Sequence, residues 1–200
     1  MIIHTKIKYS ILFIIPLILL ILLPTVSAAN DNRISSENSK SIEALKQAIR
    51  INPDDAEAHY NLGNNYYKSS MNEEAIDEFK QAIRIDPDLV EAPYNLGYVY
   101  ADLGMYNEAI EAFRQAIRIN PDYADAYNNL GVAYVKSGMH KEAIEACKQA
   151  IGISPDFAQA HCCLGLIYAS LNDKGSALEQ YKILKRLDPE RANVLFKLIN

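Results

Sequence analysis

The 34 residues VEAPYNLGYVYADLGMYNEAIEAFRQAIRINPDY, Val90 to Tyr123, decide how the rest of the chain is read. Leu96, Val99, Tyr100 and Leu103 recur at helical spacing, Gly104 supplies a turn, and the spacing resumes from Asn107 with Ala109, Ile110, Phe113, Ala116 and Ile117. Two antiparallel helices are predicted. Gly97, Ala109 and Ala116 are small enough to let these helices approach closely, while Tyr100 and Phe113 fill the space beside them.

The same text recurs along the chain. Pro53, Pro87, Pro121, Pro155 and Pro189 are spaced by 34, and Asn-Leu-Gly begins at Asn61, Asn95 and Asn129. Gln-Ala-Ile-Arg-Ile begins at Gln47, Gln81 and Gln115, and returns from Gln149 with Gly152 in place of arginine. Such a period marks a solenoid of stacked units. Full units are placed at 56–89, 90–123, 124–157 and 158–191, with a second helix alone over 41–53 and the start of a capping helix over 192–200. Asp54, Asp88, Asp122 and Asp156 follow the repeat prolines, and Glu57, Glu91, Asp125 and Gln159 stand three residues further on, which reads as a capping box. Pro93 conflicts with a helix capped at Asp88, so that helix is expected to start late or bend.

The order of a bulky residue, Leu-Gly, Tyr, Ala, an aromatic, Ala and Pro over 34 residues resembles the tetratricopeptide repeat family. The resemblance implies an all-α fold, a right-handed superhelix of antiparallel helix pairs. Departures are local: His59, Pro93, Tyr127 and His161 stand where the family has tryptophan, and Ser70 and Asn172 replace the turn glycine. Leu184 replaces a small alanine, from which looser packing of the last unit is expected.

By the same resemblance the first helices line a concave groove. Its residues here are Glu57, Tyr60, Asn61, Asn64, Tyr67 and Lys68, then Glu91, Tyr94, Asn95, Tyr98 and Asp102, then Asp125, Asn128, Asn129, Val132 and Lys136. An asparagine amide both donates and accepts, so Asn61, Asn95 and Asn129 could bond the backbone of an extended peptide without reading its sequence. They are similar to the asparagine ladder of the O-linked N-acetylglucosamine transferases. The co-chaperone clamp for a C-terminal carboxylate does not fit. Asn64 and Asn95 match two of its asparagines, but Tyr60, Asp125 and Asn129 stand where its cations belong. The acids favour a basic or neutral segment.

The N-terminal end reads differently. Lys6 and Lys8 precede Ile11 to Leu23, which is apolar throughout, and Val26-Ser27-Ala28 offers a cleavage site. Residues 1–28 are expected to be a signal peptide, with a retained membrane anchor over 11–28 as the alternative; in both cases the repeats are exported. Residues 29–40, rich in Ser and Asn, read as a linker.

Composition narrows the function. Twenty basic against 25 acidic residues give a net charge of -5, without the basic footprint of a nucleic-acid binder. The spaced pairs Glu43/Lys46, Asp77/Lys80, Glu111/Arg114, Glu145/Lys148 and Glu179/Lys182 read as surface ion pairs, and Arg50, Arg84, Arg118 and Arg186 as cations suited to helix C-termini. His59 and His161 read as packing residues. His161, Cys162 and Cys163 are adjacent on a helix, about 100° apart, and cannot converge on one metal ion. Neither a metal nor a cofactor is expected. Cys147 and Cys163 flank one turn at similar distances, which makes them a candidate disulfide; the other reading is free thiols at packing positions.

Outside the repeats too little chain remains for a catalytic domain, and no Gly-rich phosphate loop or Gly-x-Ser-x-Gly elbow occurs. The reading is a non-enzymatic, exported scaffold that binds an extended peptide or protein segment. Two alternatives stand beside it. One is self-association through apolar end helices (41–52 and Val194, Leu195, Phe196, Leu198, Ile199), and the other is the recruiting arm of an enzyme such as a glycosyltransferase.

Overall fold

A computed structural model describes residues 31–199, and within them every regular element is an α-helix. In order these are α1 (Asp31–Ile51), α2 (Ala56–Lys68), α3 (Asn72–Ile85), α4 (Glu91–Asp102), α5 (Tyr106–Ile119), α6 (Ala124–Lys136), α7 (His140–Ile153), α8 (Ala158–Ser170), α9 (Lys174–Leu187) and α10 (Pro189–Ile199). The expected signal or anchor over 1–28 lies outside the described residues. Helix α1 reaches back over the stretch expected to be a linker, because no glycine or proline interrupts the chain between Asp31 and Ile51.

Each pair, α2/α3 to α8/α9, packs on itself and on the next pair. Neighbouring first helices (α2/α4, α4/α6, α6/α8) also touch one another, whereas second helices make no comparable contact. Helices that converge on one side and diverge on the other curve the stack, so the first helices form its inner face.

The small-large code operates as the sequence predicts. A Cβ on Gly97 would lie 2.8 Å from the ring of Phe113, which is 1% exposed, and one on Gly131 would lie 2.8 Å from Cys147 Sγ. Only glycine permits that approach. Ala75, Ala109 and Ala143 on the facing helices are wholly buried.

The cations of the second helices act across the joint to the following repeat. Lys46 sits over the Tyr66 ring at 5.6 Å, Lys80 over Tyr100 at 5.9 Å and Arg114 over Tyr134 at 5.7 Å. These contacts are worth about 0.5–1 kcal/mol each. Of the spaced acid–base pairs, Glu111 with Arg114 closes at 2.8 Å.

Two local expectations are corrected. Asp54, Asp88, Asp122 and Asp156 lie in the turns and cap nothing. In α2 the cap is Asp55, whose carboxylate accepts from the Ala58 amide at 2.9 Å. In the next repeats that position holds Leu89, Tyr123 and Phe157, whose side chains make no cap bond to the helix amides, so the periodic aspartate belongs to the turn. There Asp86 and Asn120 accept from the amides of Asp88 and Asp122. Helix α4 does start late, at Glu91, and Pro93 falls in its first turn, where a missing amide proton costs little.

The second correction concerns the C-terminal end, which is tightly packed. Leu184 is 0% exposed within a separate small core that also contains Cys162, Leu166, Ala177, Ala192, Leu195 and Ile199. Helix α10 begins at Pro189, after a one-residue connection. Asp188 provides its cap, accepting from the Arg191 amide at 3.0 Å. Because α10 starts early, its residues turn inward. Leu195 occupies the slot over Gly165, while Tyr181, the counterpart of Phe79 and Phe113, stacks on Phe196 with ring centroids 5.1 Å apart. Leu195 and Ile199, expected as apolar surface for a second copy, are therefore buried.

Candidate functional site

The inner face of α2, α4 and α6 gathers the predicted groove residues. Glu57, Glu91 and Asp125 are exposed at the first turns, and Tyr60, Asn61, Asn64, Tyr94, Asn95, Tyr98 and Asn129 are half-buried behind them. Asn128 is the exception, at 1% exposure. It occupies the repeat position of Tyr60 and Tyr94, but an amide is too short to reach past the interface. Its Nδ2 donates to Asn129 Oδ1 at 3.4 Å, and its own Oδ1 has no partner.

The asparagines tie repeats together. Asn95 Nδ2 donates to Asn64 Oδ1 at 2.7 Å and to the Tyr60 hydroxyl at 3.3 Å, and Asn129 Nδ2 donates to the Tyr94 hydroxyl at 3.0 Å. Each bond spans 35 or 31 residues and so crosses from one first helix to the next. Both amide donors of Asn95 are engaged and it offers a ligand its carbonyl oxygen, whereas Asn129 keeps one N–H and the second lone pair of an oxygen that already accepts from Asn128.

Tyrosines line the same face in two clusters. At the far ends of the helices Tyr67 packs edge-on against Tyr98, with centroids 6.1 Å apart, and donates its hydroxyl to Asp102. At the near ends Tyr94 lies against Tyr123 at 4.7 Å, and behind them Tyr94 and Tyr60 rest on Phe113 and Phe79 at 5.9 and 6.0 Å. Burial raises the hydroxyl pKa of Tyr67, Tyr94 and Tyr98 above the ordinary phenol value, and neighbouring carboxylates add to it. Tyr123 is pushed up to about 12, first by burial, then by Asp125 and Glu91. The face is partly desolvated and negative.

Sequence reasoning missed Tyr123. Its signal was the bulky column Leu89, Tyr123 and Phe157, two residues after each proline, which sits beside the groove once the repeats stack.

Toward the fourth repeat the lining changes. Val132 stands at the position of Tyr98, Cys163 at that of Asn129, Gln159 at that of Asp125 and Lys136 at that of Asp102, and burial lowers the pKa of Lys136. Cys147 and Cys163 are free thiols, and the neighbouring Cys147, together with burial, holds the Cys163 pKa well up. Cys162 faces the terminal core, where burial pushes its thiol up to about 12. His161 is committed to structure, with Nδ1 2.8 Å from Gln180 Oε1 and Nε2 2.9 Å from the Pro155 carbonyl. His59 repeats the arrangement, at 2.5 Å from Glu78 Oε2 and 3.2 Å from the Pro53 carbonyl.

The chain matches the family profile described as TPR repeat over residues 30–70, 63–104 and 97–138, and the tetratricopeptide repeat profile over 124–157. The chain belongs to the tetratricopeptide repeat family. No curated protein matches it in sequence. Among solved structures, a crystal structure of MamA is similar at 29% identity and a TM-score of 0.74, covering 85% of this chain and 99% of that one. Another MamA structure is similar at 31% identity and 0.67, covering 84% and 87%. YrrB, described as "a TPR protein with an unusual peptide-binding site", is similar at 26% identity and 0.66, covering 78% and 84%. The likeness places this chain among tetratricopeptide scaffolds of the protein-interaction type.

Proposed function

We propose that this tetratricopeptide protein is a non-enzymatic scaffold that holds an extended, basic or neutral segment of a partner against the inner face of α2, α4 and α6, on the exported side of a membrane. The observation that carries the reading is the continuous band of half-buried tyrosine and asparagine side chains across three repeats, rimmed by Glu57, Glu91 and Asp125. Tyrosine supplies contact area at little entropic cost, and the asparagine carbonyls can accept from a peptide backbone. A peptide-binding site in YrrB agrees in kind. The expected export segment over 1–28 supports the reading that the groove lies outside the cytoplasm.

Photo-crosslinking in cells that naturally make the protein tests this. A photoreactive residue at Asn64 or Tyr98 should give discrete adducts with a partner, and one at Lys148 on the outer face should not. Adducts from Lys148 alone would move the binding surface to the outer face. N-terminal sequencing of the mature protein tests the export step, with Ala29 as the expected first residue.

A further inference from the structure

The near-end cluster of the groove lacks one component. At three joints the molecule places its own cation over a tyrosine of the next repeat, at 5.6 to 5.9 Å. In the groove Tyr60, Tyr94 and Tyr123 are half-buried, and Glu91 and Asp125 act on the Tyr123 hydroxyl. Among the described residues neither carboxylate takes part in a hydrogen bond or an ion pair. Asp102, at the opposite end, is already engaged by the Tyr67 hydroxyl. The groove lysine on the helix of Asp125 is Lys136, about 16 Å away along α6. Tyr60 and Tyr94 accept from Asn95 and Asn129, so their hydroxyl oxygens are held in place.

Aromatic surfaces flanked by two uncompensated carboxylates form a receptor for an organic cation, because ring quadrupoles and carboxylates attract the same charge. We infer that Tyr60, Tyr94 and Tyr123, with Glu91 and Asp125, form an anchor pocket for a lysine or arginine side chain of the bound segment. The inference rests on the groove reading above and adds direction to it. The ligand's cation lies at the second and third repeats, and its apolar residues extend toward Val132, which takes the place of Tyr98.

The test uses the full chain with tyrosine ring carbons labelled and three probes: N-acetyl-arginine amide, N-acetyl-lysine amide and N-acetyl-citrulline amide. Citrulline keeps the shape of arginine without its charge. The two cationic amides should shift the Tyr94 and Tyr123 resonances saturably, and citrulline should not. The Glu91→Gln/Asp125→Asn variant should weaken binding by about fivefold or more, and Glu145→Gln on the outer face should leave it within about twofold. Circular dichroism verifies equal helicity. Equal shifts with citrulline, no shift with any probe, or full binding by the double variant would overturn the pocket. The two readings separate cleanly. Loss of the pocket with Asn64 crosslinks intact in the double variant would retain a groove without a cationic anchor, and probe binding without groove crosslinks would retain the pocket and reject the groove as the partner site.

Discussion

The joint inside the second repeat and the joint at the C-terminal end meet the same requirement with different parts. Between α4 and α5, Gly97 receives the Phe113 ring from the partner helix of its own pair. At the end, Gly165 receives Leu195 from a third helix, and the local aromatic, Tyr181, is displaced onto Phe196. An aromatic held between two helices cannot retreat without separating them, whereas a leucine tip delivered by a terminal helix can. The same consensus position is therefore expected to tolerate change differently at the two sites.

The largest effect should come from emptying the slots. Phe113→Ala should cost about 3–5 kcal/mol and lower the single unfolding transition of the whole array. Leu195→Ala should cost about 2–5 kcal/mol, but hydrogen exchange should rise first in α10 and the end of α8, with α4 and α5 still protected. A uniform rise across all helices in the Leu195 variant would show that the terminal core is not a separate unit.

Filling the slots should have a smaller effect. Gly97→Ala drives a methyl into the buried ring and should destabilise by about 1–3 kcal/mol in urea unfolding. Gly165→Ala should cost less, since its nearest neighbour is a leucine tip; an equal or greater cost would mean that α10 cannot yield.

Alkali provides a third contrast. The groove tyrosines have phenol pKa values raised by folding, so their contribution is complete at neutral pH, below the unfolded value of 10.0, and is lost as pH rises through the folded values. Tyr123, at about 12, sets the scale. Stability should fall between about pH 10 and 12, and circular dichroism with tyrosinate absorbance should show exposed tyrosines ionising before the loss of helix. Tyr67→Phe with Tyr123→Phe should flatten the dependence, and an unchanged alkaline slope would assign it elsewhere.

The smallest effect concerns the turns. Ser70 and Asn172 stand at φ of 60° and 61°, in the left-handed region occupied by Gly104 and Gly138 in the middle repeats. Ser70→Gly should stabilise by about 0.5–1 kcal/mol, and Asn172→Gly by less, because asparagine tolerates this region. Thermal melts of the two variants would rank them.

Repetition explains what was legible in the sequence. The helix pairs, the Gly97/Phe113 contact and the left-handed turn at Ser70 could be read because each position is sampled several times along one chain. Features present once could not be read this way. Helix α1 over Asp31 to Lys40 has no repeated counterpart, and the early start of α10 changes the partner of Gly165, accompanied only by Leu184 at a consensus alanine, which read as looser packing. The capping role was assigned to Asp54 because the periodic aspartate is adjacent to the acceptor that caps α2, Asp55. In the site, the face was legible from the family resemblance. The burial of Asn128 and the pairing of Asn129 with Tyr94 were not, since both depend on how far one repeat is offset from the next.

The connections differ in a way that bears on how such an array can change length. Ile85 and Glu91 are joined through five residues, but Leu187 and Pro189 through Asp188 alone. A 34-residue unit inserted between the second and third repeats would meet, on both sides, interfaces it already carries, and the groove would lengthen by one set of tyrosine and asparagine side chains. The same unit added after Ile199 would face α10, whose Leu195 is already committed to Gly165. Growth of this solenoid by duplication is thus open in its interior and closed at α10.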